Sequence, residues 1–285
     1  MTENSSFGLG WLPDYPDLRD FTHETDQIKA VFDKAKSQVV RPRKALQGAV
    51  DLRDWCAPVE NQGAIGSCTA HAGVGLVEYF ERRAFGRHID ASRLFLYKTT
   101  RSLMHWTGDT GAFLRTTMKA MVLFGIPPEE YWPYRTEDFD VEPTAFCYAF
   151  GQNYQTIHYY RFDPPGISTS DLLKQIKTYL AGGYPSMFGF TVYDSISEAA
   201  TNGGKIPFPE PGDKVIGGHA VDAVGYDDKM KVGSLKGALL IRNSWGTGWG
   251  DKGYGWLPYA YVEEGLAIDW WTILKQEWID TKQFD

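Results

Sequence analysis

Cysteine is scarce: only Cys56, Cys68 and Cys147 occur among 285 residues. Three thiols cannot staple a chain of this length, and an odd count leaves at least one free, so a reducing, cytoplasmic setting is expected. Short-spaced Cys or His pairs of the kind zinc needs, such as C-x2-C or H-E-x-x-H, are missing, and neither a metal nor another cofactor is expected. The opening residues MTENSSFGLGWLPDYPDLRD hold no basic stretch and no apolar one, and no apolar run reaches the roughly 18 residues of a membrane span. That argues against a signal peptide and against a membrane partner. Basic charge is not gathered anywhere: 29 Lys and Arg stand against 36 Asp and Glu, a net charge of −7 that gives a nucleic-acid backbone little to hold.

What is present is the composition of a folded globular chain, 43% hydrophobic and 23% charged. Its length suits one large domain or two of ordinary size. Residues 1–45 read as a separate leader. Behind Thr25, a good N-cap, the stretch Asp26 to Ser37 places Ile28, Val31, Phe32 and Ala35 on one helical face, which must dock on something. An extended aromatic segment, Trp11-Leu12-Pro13, precedes it, and a basic link, Arg41-Pro42-Arg43-Lys44, follows as an exposed and cleavable connection. Residues 46–150 read as mainly helical, with Val74, Val77, Phe80 and Ala84 at helical spacing and Leu114, Met118, Met121 and Val122 repeating it. Gly125 and Pro127 end that second helix. Residues 151–285 open with a helix from Asp171 to Ala181, capped by Ser170 and closed by Gly182-Gly183. Short strands then follow, from Met187 to Tyr193, Ala220 to Tyr226, Ala238 to Arg242 and Tyr254 to Leu257. Helices first and strands later predict an α+β chain of two lobes rather than a doubly wound sheet.

The chemistry is concentrated in three patterns: Gln62-Gly63-Ala64-Ile65-Gly66-Ser67-Cys68, Gly218-His219-Ala220-Val221, and Arg242-Asn243-Ser244-Trp245-Gly246. A single Cys with a His and an Asn roughly 150 and 175 residues downstream is the sequence form of a nucleophile, its base and the group that orients the base. Gly66-Ser67 ahead of a helical pattern puts Cys68 at a helix N-terminus. There, amide dipoles and a neighbouring imidazolium lower a thiol pKa from about 8.5 into the range of about 3.5–7.5. His219 would hold the proton and return it to a leaving amine, and Asn243 would fix the ring's tautomer. Trp245 would shield that hydrogen bond from water.

Order, spacing and flanking residues resemble the papain-like (C1) cysteine peptidases. Val50-Asp51-Leu52-Arg53 is similar to the mature-start motif, Gln62 to Cys68 to the nucleophile loop, and Gly108 to Tyr134 to the groove glycines with their Trp-Pro-Tyr exit. Tyr184-Pro185 is similar to the strand entry, His219 to Tyr226 to the His strand, and Asn243 to Gly255 to the Asn-Ser-Trp-Gly turn. The resemblance covers most of residues 50–273. It implies a two-lobe fold, a helical left lobe and a β-barrel-like right lobe, with the site between them. It further implies that Gln62 is an oxyanion donor and that Gly111 pairs with an extended substrate strand. Gly189, Gly217, Ala220 and Ile268 would line the main side-chain pocket. That lining predicts an apolar preference, whereas Asp269 at the pocket base would favour a basic residue. The chain departs from the family pattern where Ile65 replaces the usual disulfide thiol and Thr69 the bulky aromatic after the nucleophile. The departures, with the short leader, resemble the divergent bacterial branch.

The resemblance implies a thiol endopeptidase acting on peptides or proteins. No His-His insertion of the carboxydipeptidase type occurs, which argues against an exopeptidase. A peptide-binding pseudoenzyme and an acyl transferase are the alternatives, the second because one thioester serves water and amines alike. His71, one turn beyond Cys68, is a rival base that points down its helix. Cys56 and Cys147 read as small buried hydrophobes. The leader reads as an inhibitory segment over the groove, with a merely docked arm as the other reading.

Overall fold

A computed structural model describes residues 8–35, 46–155 and 158–284. In chain order the elements are β1 (Trp11–Leu12), α1 (Asp26–Ala35), β2 (Ala49–Asp51), α2 (Cys68–Phe85), α3 (Arg93–Leu103), β3 (Ala112–Phe113), α4 (Leu114–Phe124), α5 (Ala145–Gly151), β4 (His158–Arg161), α6 (Thr169–Ala181), β5 (Ser186–Tyr193), β6 (Val215–Val232), β7 (Leu235–Arg242), β8 (Tyr254–Pro258), α7 (Ala260–Glu263), β9 (Ala267–Leu274) and α8 (Gln276–Ile279). Helices dominate the first half and strands the second, the α+β order expected from the sequence. The basic link 41–44, and the side chains of Phe32 and Ala35, lie outside the described residues.

The central helix is α2. Its residues from Cys68 to Phe80 are all buried, on every face and not on one stripe alone. It stops where Gly86 adopts φ 70° and its N–H bonds the Arg82 carbonyl. Helix α3, which no apolar period announced, is capped by Ser92, whose hydroxyl accepts the Phe95 N–H at 3.2 Å. Helix α6 begins earlier than its sequence signal: Ser168 rather than Ser170 is the cap, accepting the Asp171 N–H at 3.1 Å. Two serines two residues apart both satisfy the sequence rule, and backbone geometry chose the first.

The strands form one seven-stranded sheet in the order β4-β9-β5-β6-β7-β8, with β2 paired to β6. Every pairing within that sheet is antiparallel and its path is open, β4 and β8 standing at its ends, while β1 and β3 form a separate parallel pair. Register places Gly189 opposite Ala220 and Phe190 opposite His219, and sets Asp222 opposite Arg242. Two connections cross between the sheet and the helices. Near its start the chain enters the sheet through β2, before α2 begins. At its end α8 leaves the sheet and stacks Trp278 on Phe80 of α2, ring centroids 5.2 Å apart. One continuous apolar cluster results, and Trp11, Ile28 and Val31 of the leader belong to it.

Candidate active site

Cys68 is the first residue of α2, as the Gly66-Ser67 sequence predicts, and it is fully buried. Burial pushes its thiol up to about 11, against the pull of the Ala220 and Gly10 amides that bond it. The expectation of a thiolate near neutral pH is therefore not met in this covered state, because burial excludes water from the sulfur. The Ala220 contact matters, since it brings β6, and with it the residue before Ala220, to the nucleophile.

That residue is His219. Its Nε2–H donates to the Asn243 Oδ1 at 2.7 Å, so a neutral ring carries its lone pair on Nδ1. Nδ1 has no hydrogen-bond partner among the described residues. Burial holds the ring down to about 4, with the Asn243 bond opposing the shift. Trp245 lies over it, nearly parallel, with ring centroids 4.4 Å apart. Thiol and imidazole are thus both neutral and not yet hydrogen-bonded to each other, while the orienting bond expected from the sequence is formed.

Gln62 is buried with its amide turned inward: Nε2 donates to the Ile65 carbonyl at 2.9 Å and to the Gly8 carbonyl at 3.1 Å. Its own oxygen accepts the Ser244 hydroxyl at 2.5 Å, which fixes which end of the amide points outward. An amide held this way is a preorganised donor for an oxygen at the position Gly8 now fills.

The leader occupies the cleft. The Gly8 N–H bonds the Gly63 carbonyl at 3.1 Å, and the Gly8 carbonyl also receives the Trp245 indole N–H at 3.4 Å. Gly10 presses on the nucleophile loop so closely that a Cβ there would lie 2.0 Å from the Gly66 carbonyl oxygen. The Gly10 carbonyl accepts the Ala112 N–H at 2.8 Å, and β1 then runs parallel to β3. Trp11 fills the side-chain pocket: its indole sits where a Cβ on Gly189 would be, 1.8 Å from the ring, and its N–H donates to Asp269 at 3.1 Å. Leu9 lies over Gly217. Beyond the cleft, Asp14 and Asp20 both bond Arg115 on α4.

The structure thus brings together Gln62, Cys68, Gly111, Gly189, Gly217, His219, Ala220, Asn243 and Trp245 around Gly8–Trp11. Ile268 pairs with Gly189 in the sheet, and it is the next residue, Asp269, that reaches Trp11. Asp269 is buried and pushed up to about 7 by that burial, against the pull of Arg161 3.2 Å away. The rival His71 turns back on its own helix, its Nδ1–H donating to the Ser67 carbonyl at 3.1 Å. Sequence reasoning passed over Ser244, although it stands inside a quoted motif and its hydroxyl bonds Gln62. It also passed over Asp109, which stands among the quoted groove glycines, and Tyr97, which no motif marked. Among the described residues no group of three or more His, Cys, Asp or Glu is placed to hold a metal ion, and no helix is long and apolar enough to cross a membrane.

Comparison with known proteins identifies the family. The model of the papain family cysteine proteases matches residues 46–266. The chain is 33% identical over 282 residues to an uncharacterized peptidase C1-like protein of Acanthamoeba polyphaga mimivirus, covering 95% of this chain and 88% of the other. It is 27% identical over 213 residues to chymopapain of Carica papaya, covering 70% of this chain and 53% of that longer relative. Among solved structures, Xylellain, a cysteine protease from Xylella fastidiosa, superposes with a TM-score of 0.75 at 33% identity, covering 96% of this chain and 98% of its own. A digestive procathepsin from the Tenebrio molitor larval midgut shares the fold, with a TM-score of 0.63 at 20% identity over 88% of this chain and 79% of its own. Family model, relatives and fold converge, and the chain belongs to the papain family of cysteine proteases.

Proposed function

We propose that the protein is a cysteine endopeptidase that hydrolyses peptide bonds through a Cys68 thioester and is restrained by its own N-terminal segment. The observation that carries this reading is Gly8–Leu12, an extended polypeptide lying against the groups the chemistry needs, with chain continuing beyond both its ends. A trough that admits a passing chain suits cleavage inside a polypeptide rather than at its terminus. Residues 46–150 and 151–285 act as two lobes that bring Cys68 and His219 together from opposite walls.

In the open state the thiol proton passes to His219 Nδ1, leaving a thiolate and an imidazolium. The sulfur attacks the scissile carbonyl carbon, and the oxygen takes up the electron pair between the Gln62 Nε2–H and the Cys68 N–H. Collapse breaks the C–N bond as the imidazolium gives its proton to the departing amine. Water, deprotonated by His219, then opens the thioester and the sulfur leaves. Asn243 keeps Nε2 protonated throughout, and Trp245 excludes water from that bond. Gly111, expected to pair with the substrate backbone, gives it room for close approach and leaves the pairing to the neighbouring Ala112 N–H, while Gly189, Gly217, Ala220 and Ile268 frame the pocket above Asp269.

The leader blocks without being cut because it is threaded in reverse. A substrate's pocket residue precedes its scissile carbonyl, whereas Trp11 follows the Gly8 carbonyl that lies at Gln62. Three buried, unpaired cysteines suit a reducing, cytoplasmic compartment.

A peptide-library digest with the full chain, repeated after removal of residues 1–45, tests the reading. Internal cleavage that rises on removal and disappears in Cys68→Ala is expected. Absent turnover, with Cys68 not preferentially alkylated by iodoacetamide after removal, would indicate a peptide-binding protein instead. An intact N-terminus alongside full activity would overturn the restraint.

A further inference from the structure

Among the described residues no disulfide ties the nucleophile loop to the groove wall, since Cys56, Cys68 and Cys147 are all unpaired. Both walls must nevertheless stand at a fixed separation, because a Cβ on Gly66 would come within 3.3 Å of the Cα atoms of both Gly10 and Gly111. Gly10 is therefore the occupant of a slot one backbone wide. On the peptidase reading above, on which this inference rests, the substrate backbone takes that slot.

We propose that Asp109 is the positioning residue that sets the slot, acting with Tyr97. The Asp109 Oδ1 accepts the Gly66 N–H at 2.8 Å, two residues before the nucleophile. The same oxygen accepts the Tyr97 hydroxyl at 2.5 Å, and the Tyr97 oxygen in turn accepts the Gly111 N–H at 3.1 Å. One unbroken chain of hydrogen bonds thus runs from Gly111, the neighbour of the Ala112 N–H that bonds the Gly10 carbonyl, through α3, to the loop that carries Cys68. Gly66, Gly111 and Tyr97 are buried, so each of these N–H and O–H groups would be costly to leave unpaired.

The tether has a rigid footing. Gly108, next to Asp109, donates its N–H to Asp140 Oδ2 at 2.8 Å, and its carbonyl accepts from the buried Arg101 guanidinium. Arg101 is paired with Asp140 at 2.7 Å and lies over the Tyr97 ring, 4.2 Å from its centroid. The Gly108-Asp109 turn and the Tyr97 ring are therefore anchored to the same cation. Loosening this footing lets the loop and the groove edge drift apart, so a peptide held at that edge presents its carbonyl out of line with the sulfur, and small misplacements of this kind reduce rate steeply. Asp109 touches neither the sulfur nor the reacting carbonyl and acts only through Gly66 and Tyr97.

Three variants of the full chain test the assignment: Asp109→Ala, Asp109→Asn and Tyr97→Phe. Amide hydrogen exchange at Gly66 and Gly111 reads the tether whether or not the chain turns over. An inert wild-type chain would thus count against the peptidase reading, while exchange still decides the tether. Turnover is read as kcat/KM per titrated thiol, on an extended peptide and on a single-residue ester that does not reach Gly111. Asp109→Ala should speed Gly66 exchange at least about tenfold and lower kcat/KM about 10- to 100-fold on the peptide, but less than about threefold on the ester. Asp109→Asn, whose amide oxygen accepts both bonds, should stay within about threefold of wild type. Tyr97→Phe should free the Gly111 amide and raise KM for the peptide with little change in kcat. Unchanged Gly66 exchange in Asp109→Ala would overturn the proposal. So would equal loss on peptide and ester, which marks a merely structural residue, or an Asn variant as impaired as the Ala variant.

Discussion

At the scale of single residues, the covered cleft holds Cys68 and His219 in uncharged forms, the thiol raised and the imidazole lowered by the same exclusion of water. A raised thiol pKa means that thiolate is absent at neutral pH and appears only as pH climbs toward about 11. Iodoacetamide should therefore label Cys68 of the full chain slowly at pH 7, with a rate that keeps rising through pH 9. Without residues 1–45 the pH profile should reach its plateau near or below neutrality. Coincident profiles for the two forms would mean that the leader does not control the sulfur. Roles at the site should also separate. Cys68→Ala should abolish turnover with the fold intact, whereas Asn243→Ala should lower kcat/KM about 100-fold and leave it measurable, because the ring keeps its chemistry and loses only its orientation. Equal loss in both would refute the division. Cys68, His219, Asn243 and Gln62 were legible because each stands in a local pattern with its flanking residues. Asp109 and Tyr97 were not, since their partners, Gly66 and Gly111, are set beside them only by folding.

At the scale of elements, the leader strand is seated by glycine more than by side chains. Gly10→Ala would drive a methyl into the Gly66 carbonyl, 2.0 Å away against backbone that has no room to yield. The variant should seat its leader poorly, label Cys68 at pH 7 about tenfold faster or more, and release whatever activity the leader restrains. Wild-type labelling in Gly10→Ala would remove the strand from the inhibitory account. Amphipathic helices such as α4 and α6 were readable from spacing, their ends less so, as the shift from Ser170 to Ser168 shows. Strand β6 is longer than its apolar stretch because Val215 and Ile216 stay exposed and pattern with a loop, yet Val215 pairs with Tyr193 of β5 across a register shift. Strand β9 went unread since Trp270 and Trp271 are buried on both faces, so no alternation marks it.

At the scale of the whole molecule, the helices meet the sheet through a polar seam as well as through the apolar core. Gly75 on α2 faces the buried Asp222 and Arg242 of β6 and β7, and a Cβ there would lie 2.4 Å from Asp222 Oδ2 and 2.6 Å from Arg242 Nη1. Gly75→Ala should therefore lower the unfolding free energy by about 1–3 kcal/mol in urea titration, with the Cys68 environment disturbed as the seam spreads. An unchanged midpoint would show that the seam has slack. The change from helices to strands along the chain could be read from local spacing. The crossings through β2 and α8 could not, because nothing local in Ala49–Asp51 or Gln276–Ile279 names the far partner.

Those crossings act as two buckles fastened from opposite ends of the chain. A protease that nicks the surface connection between the helices and the sheet should leave both fragments clasped, migrating as one species under native conditions and parting only in denaturant. With both clasps closed, the halves have no route to drift free of each other.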